Sequence, residues 1–181
     1  QVAAWAKQDA ALTHPHPVCQ QVSTLYTMAI AYAVKTGCGA GGLYRQILSW
    51  AREMNAAATV LDAVAGAAHT PPEDYTKRAG CVITAFHNVL WQLLHAPDFE
   101  DAVVDTVMRG GDTDTNAAIC GALLGAVYGR DAVPSRWVDC LLKCRPAAGR
   151  AGVRHPRSAC YWPVDALELA AQLVGVRNQE E

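Results

Sequence analysis

Apolar residues recur at every third or fourth position along most of this chain, and no stretch alternates convincingly with period two. That spacing marks helices with one face in a core rather than half-buried strands. Val22, Leu25, Met28, Ala29 and Tyr32 predict a helix over Val18 to Thr36, with Pro17 in the first turn and Gly37 as its stop. Gly37 to Gly42 reads as a turn, and Leu43 to Ala67 as helical with a break near Asn55. His69 to Arg78, which contains Pro71 and Pro72, reads as a loop.

Farther along, Val82, Phe86, Val89, Leu90 and Leu93 predict a helix over Ala79 to His95 that Pro97 stops. Asp98 then caps a helix expected to carry Phe99, Val103, Val104, Val107 and Met108 toward the core. Ala117 to Tyr128 is an unbroken run of small and apolar residues, helical and too short to cross a bilayer. Pro134 opens a short helix through Leu142, and Pro163 opens a last one bearing Leu167, Leu169, Ala170 and Leu173. Gln1 to Ala11 reads as the tail of a helix. The pattern predicts an all-α fold, an irregular bundle rather than a coiled coil, forming a single domain over residues 1–181.

Composition narrows the classes. Residues of hydrophobic type make up 51% of a 181-residue chain, enough to bury a substantial core. The formal charge of −2 excludes a strongly basic nucleic-acid binder. The one basic stretch, with Arg145, Arg150, Arg154, His155 and Arg157, reads as a solvated loop. Seven cysteines, an odd count with no C-x-x-C pair, argue against a zinc site or a disulfide framework and predict a reduced, cytoplasmic protein. Neither a signal peptide nor a membrane span is visible.

The chemistry concentrates at Gly110-Gly111-Asp112-Thr113-Asp114-Thr115-Asn116. Two carboxylates two residues apart, followed directly by a hydroxyl, put three oxygens on one turn, which suits a hard cation such as Mg²⁺ or Mn²⁺. Asp112 or Thr113 capping the following helix is an equally open reading, and the two are compatible. The glycines free the backbone for positive φ and close approach. Ala117, Ala118, Gly121, Ala122 and Gly125 leave one side of the following helix nearly bare for packing.

This motif and its small-residue helix resemble the ADP-ribosylglycohydrolase family. Leu12-Thr13-His14-Pro15-His16-Pro17 is similar to that family's Thr-His turn, and Arg78-Ala79-Gly80-Cys81-Val82 to a glycine segment in which relatives often carry an aromatic ring. The resemblance runs from Leu12 to Leu173. It implies an irregular orthogonal helical bundle and a hydrolase of the glycosidic bond linking ADP-ribose to an acceptor. Asp112, Asp114 and Thr115 would be ligands of a centre with two Mg²⁺ or Mn²⁺ ions, and His14, Gly111 and Cys81 would contact the substrate. Cys81 departs from the family's aromatic and puts the adenine-side contact in question. The family's early Gly-Asp segment, its Thr-Asp-Asp-Thr motif and its acid/base carboxylate have no counterpart here, so no catalytic acid is assigned. The resemblance therefore predicts the C-terminal two-thirds of such an enzyme, its N-terminal part missing or supplied by a companion fragment or chain. The expected partner is an ADP-ribosylated protein or an ADP-ribose-containing small molecule, not a nucleic acid or a membrane. The alternative is a non-catalytic helical module that binds ADP-ribose or a protein partner.

Overall fold

The structure, a computed structural model, describes residues 1–77 and 79–176. All regular structure among the described residues is helical. The chain divides into two compact units, Gln1–Ala132 and Val133–Glu181.

The first unit holds α1 (Val2–Thr13), α2 (Pro17–Thr36), α3 (Ala40–Glu53), α4 (Ala58–Gly66), α5 (Val82–His95), α6 (Phe99–Met108) and α7 (Thr113–Tyr128). Local signals fix many of the boundaries. Pro17 occupies the first turn of α2, and Gly37 closes it in the left-handed region at φ 62°. The break between α3 and α4 falls where expected, with Asn55 at φ 49°. Asp98 caps α6, its carboxylate accepting from the Asp101 backbone N–H at 2.8 Å. Leu25 and Ala29 of α2, Leu43 and Ile47 of α3, Val60 and Val64 of α4, and Val89 and Leu90 of α5 are fully buried together with Leu123 and Leu124 of α7. Helix α7 packs against α2, α5 and α6.

Three expectations need correction. Helix α3 begins at Ala40, so Gly41 and Gly42 lie inside it; the buried Leu43, Ile47 and Ala51 face outweighs the weak helix propensity of glycine. Helix α5 begins at Val82 rather than Ala79, because Gly80 sits at φ 74° and ends the preceding turn. Helix α6 turns Phe99, Ala102 and Thr106 inward, leaving Val104 and Val107 each 42% exposed and Met108 78% exposed. The cause is its neighbour. At Gly121 and Gly125, α7 offers a surface on which Phe99 and Val103 lie, within 4 Å of where a side chain would start. Ala118 and Ala122, by contrast, are exposed.

The second unit holds α8 (Ser135–Leu142), two short 3-10 turns and α9 (Ala166–Val176). Its arginine-rich loop is folded on itself. The Trp162 indole N–H donates to the Arg157 carbonyl at 3.0 Å, and the Arg150 guanidinium to the Arg145 carbonyl at 3.0 Å. Leu167, Leu169 and Leu173 are exposed. Among the described residues, no helix is long and apolar enough to cross a membrane.

Candidate functional site

Helix α6 ends at Met108, and the chain passes through Gly110 at φ 78° and Gly111 at φ 74° before α7 begins. Only glycine adopts such backbone without strain. At Gly111 the requirement is also spatial: a Cβ there would stand 2.7 Å from the Tyr75 carbonyl carbon and closer still to its oxygen. Gly111 therefore lets the turn lie directly against the 70–77 loop.

That loop is anchored from beneath. The Tyr75 hydroxyl donates to Asn88 Oδ1 at 2.7 Å, and Asn88 Nδ2 donates to the Thr106 hydroxyl at 3.0 Å. The Thr106 hydroxyl in turn donates to the Ala102 carbonyl at 2.8 Å. The Arg109 guanidinium sits 5.4 Å from the centre of the Tyr75 ring and donates to Asp105 at 2.7 Å, while the Gln92 amide donates to the same Asp105 oxygen at 2.5 Å. Burial raises the Tyr75 hydroxyl to about 12, so it remains a hydrogen-bond donor at neutral pH. Within the loop, Asp74 accepts from the backbone N–H groups of Thr76 at 2.9 Å and Lys77 at 2.8 Å, closing the loop on itself. On another side of α7, the Tyr26 hydroxyl donates to the Ile119 carbonyl at 2.9 Å and ties α2 to the same helix.

On this base stand the candidate ligands. Asp112 occupies the N-cap position of α7, yet its side chain makes no capping bond. The capping reading of Asp112 is therefore not the one the structure takes, and its carboxylate is not consumed by the helix. Asp114 and Thr115 are exposed on the first turn. The Thr115 backbone N–H, then the Asp112 side chain and Asp114's own N–H, hold the Asp114 carboxyl below its ordinary range. Gly80 lies alongside: a Cβ there would be 3.9 Å from Asp112 Oδ2, which brings the Gly80-Cys81 turn next to the motif. Cys81 is half-buried at the N-cap of α5. His14 is not brought in by any bond. It ends α1, with Nδ1 2.9 Å from the Thr13 hydroxyl, and among the described residues no hydrogen bond or ion pair joins it to the α7 turn.

The donor set fits part of a hard-cation shell. Asp112, Asp114 and Thr115 offer oxygens only, the chemistry Mg²⁺ and Mn²⁺ take, but fewer than the roughly six positions such an ion fills. Among the described residues, no group of three or more His, Cys, Asp or Glu side chains comes together, at this turn or elsewhere. An open cavity of about 580 Å³ lies between α4, the 70–77 loop and α5. It shares Asp74 and Lys77 with the loop but is lined by none of Asp112, Asp114 or Thr115.

Sequence reading missed Tyr75, the Asn88–Thr106 and Gln92–Asp105–Arg109 bonds, and Asn116. The last did leave a signal: it falls in register with Cys120, Leu123 and Leu124, a polar residue on a buried stripe.

An all-helical unit with an oxygen-bearing, uncapped turn at the start of its central helix defines the class of protein to which the comparisons point. The model of the ADP-ribosylglycohydrolase family matches residues 1–180, and the chain belongs to that family. It is 29% identical over 151 residues to a putative ADP-ribosyl glycohydrolase of Acanthamoeba polyphaga mimivirus, covering 77% of this chain and 45% of that protein. It is 37% identical over 58 residues to the ADP-ribosyl-(dinitrogen reductase) glycohydrolase of Rhodospirillum rubrum, covering 32% of this chain and 20% of that one. An ADP-ribosylarginine hydrolase of Serratia proteamaculans is 31% identical over 70 residues, 39% of this chain and 19% of the relative. No solved structure matches. The family match along residues 1–180 does not bear out the expectation of the C-terminal two-thirds only. The chain nonetheless spans less than half the length of these curated relatives.

Proposed function

We propose that this chain carries the metal- and ADP-ribose-binding turn of a hydrolase that cleaves the glycosidic bond between ADP-ribose and an acceptor. The observation that carries the reading is the first turn of α7, where the Asp112 carboxylate makes no capping bond and stands with the exposed Asp114 and Thr115 on a glycine turn. Family membership and the names of the relatives support it, and those names favour an ADP-ribosylated protein side chain as substrate.

Asp112, Asp114 and Thr115 would hold Mg²⁺ or Mn²⁺, with two ions in a complete site. When bound, the metal supplies Lewis acidity toward the ribose oxygens and the attacking water. The positive end of the α7 dipole opposes a cation, so both carboxylates are needed to make the turn net attractive. Gly111 keeps the turn pressed on Tyr75, and Gly80-Cys81 borders the space beside Asp112. His14 would reach the phosphate or ribose of the ligand. In the overall reaction the oxygen of water bonds to the anomeric carbon, the bond from that carbon to the acceptor breaks, and the acceptor leaves with a proton. A companion segment or chain supplies the acid/base carboxylate and the remaining oxygens, in a cytoplasmic protein.

The test is calorimetric titration of Mn²⁺, and of ADP-ribose with Mn²⁺ present, into wild type and Asp114→Ala. Metal-dependent ADP-ribose binding should vanish in the variant while its helical circular dichroism stays intact. Metal binding unchanged in Asp114→Ala sinks the ligand assignment. The second reading, a binding module without catalysis, is favoured by the incomplete oxygen set. Tight ADP-ribose binding without release of ADP-ribose from an ADP-ribosylated arginine peptide would establish it.

A further inference from the structure

Among the described residues, three amide side chains are buried: Asn88, Gln92 and Asn116. Asn88 bonds Tyr75 and Thr106, and Gln92 bonds Asp105. Asn116 is 5% exposed, and its amide makes no hydrogen bond within the described residues. Nor are its amide atoms sealed away, since no buried side-chain nitrogen or oxygen is left both enclosed and unpartnered. An amide that stays within reach of solvent yet has no protein partner is open to a ligand's donor or acceptor. An apolar residue would suit this place better, because Cys120, Leu123 and Leu124 continue the same stripe and are fully buried.

The direction of the side chain says what the amide serves. On a helix, Cα–Cβ bonds tilt toward the N-terminus, so a side chain covers the turn before its own Cα. Asn116 stands one turn after Asp112, its backbone N–H donating to the Asp112 carbonyl at 3.1 Å. Its side chain is thus directed back toward Asp112 and Thr113, one turn earlier, while Asp114 and Thr115 stand exposed on the adjoining faces. It offers there what the two carboxylates lack: an N–H donor beside a carbonyl acceptor, on one rigid plane. A sugar hydroxyl both gives and takes a hydrogen bond, and matches that pair.

We infer that Asn116 is a substrate-binding residue whose amide takes a hydroxyl of the terminal ribose of ADP-ribose at the α7 turn. This rests on the proposed function, and its test separates the two. Titrations of ADP-ribose, ADP and Mn²⁺ are made on wild type, Asn116→Leu and Asn116→Ala, together with thermal unfolding. Leucine removes the unpartnered amide and fills the stripe, so the unfolding midpoint should rise by about 2–6 °C. ADP-ribose affinity should fall about tenfold in both variants, the loss of one good hydrogen bond to a buried amide. Mn²⁺ affinity, and affinity for ADP, which lacks the terminal ribose, should stay at the wild-type level. Unchanged ADP-ribose affinity in Asn116→Leu and Asn116→Ala overturns the assignment, as does an equal loss for ADP-ribose and ADP. A wild-type protein that binds no ADP-ribose overturns the proposed function and this inference with it.

Discussion

Gly110 and Gly111 share the same backbone region, yet their replacement by alanine should differ sharply. Both lie at positive φ, 78° and 74°, where an alanine costs about 1–2 kcal/mol. At Gly110 that is nearly the whole effect, because the nearest atom to a new Cβ is the Thr76 methyl at 3.5 Å, an ordinary contact. At Gly111 the new Cβ would meet the Tyr75 carbonyl group, its carbon at 2.7 Å, so the loop or the turn must move. Moving Tyr75 breaks its 2.7 Å bond to the buried Asn88 and strands that amide, at a further cost of about 1–3 kcal/mol. Gly111→Ala should therefore lose about 2–5 kcal/mol in all, lowering the unfolding midpoint by roughly 6–15 °C. Urea and thermal unfolding of the two variants, side by side, measure the difference. Equal destabilisation of Gly110→Ala and Gly111→Ala would refute the idea that the motif turn is clamped against Tyr75.

Two more outcomes follow from ionisable groups near the clamp. Burial pushes the Asp105 carboxyl up, but the hydrogen bonds from Arg109 and Gln92 outweigh it and leave the group below its ordinary value. Its contribution is complete above the unfolded value of about 3.9 and is lost as pH falls through the lower folded value. Asp105→Asn should lower stability at neutral pH and flatten the acid limb below about pH 4 in urea titrations; an unaltered acid limb counts against the pairing. Burial raises the Cys120 thiol to about 11, and the side chain is fully buried. A thiol reagent at neutral pH should modify the exposed Cys140, Cys144 and Cys160 rapidly and Cys120 only as the protein unfolds. Prompt native-state labelling of Cys120 would show that the packing around α7 is misread.

What the sequence revealed was whatever depends on neighbours in the chain. Pro17 and Gly37 bound α2, Asn55 marks the break after α3, and Asp98 caps α6, because each acts within a few residues of itself. The oxygen-rich turn was visible for the same reason: its chemistry is contiguous. Whether Asp112 caps or stays uncommitted was left open, since both outcomes satisfy the same local pattern. The face of α6 was misjudged because apolarity alone ranked Val104, Val107 and Met108 as inward, while the shape of α7 at Gly121 and Gly125 selects Phe99, Ala102 and Thr106. Tyr75, Asn88 and Thr106 meet across three separate elements, and nothing in their spacing announces that meeting.

The turn before α7 departs from local stability rules in three ways. Two successive glycines occupy left-handed backbone, a good capping residue leaves its helix uncapped, and a buried asparagine makes no side-chain hydrogen bond among the described residues. Elsewhere the chain applies the ordinary devices: a glycine closes α2 and an aspartate caps α6 with a 2.8 Å bond. A sequence that can cap a helix at Asp98 has no difficulty doing so at Asp112. Local rules broken together, on one turn and above an otherwise satisfied network, mark a place where stability has been exchanged for binding. The departures leave polar groups on adjoining faces of one turn: two carboxylates, a hydroxyl and an amide. One ligand bearing both a cation and a sugar would answer all of them.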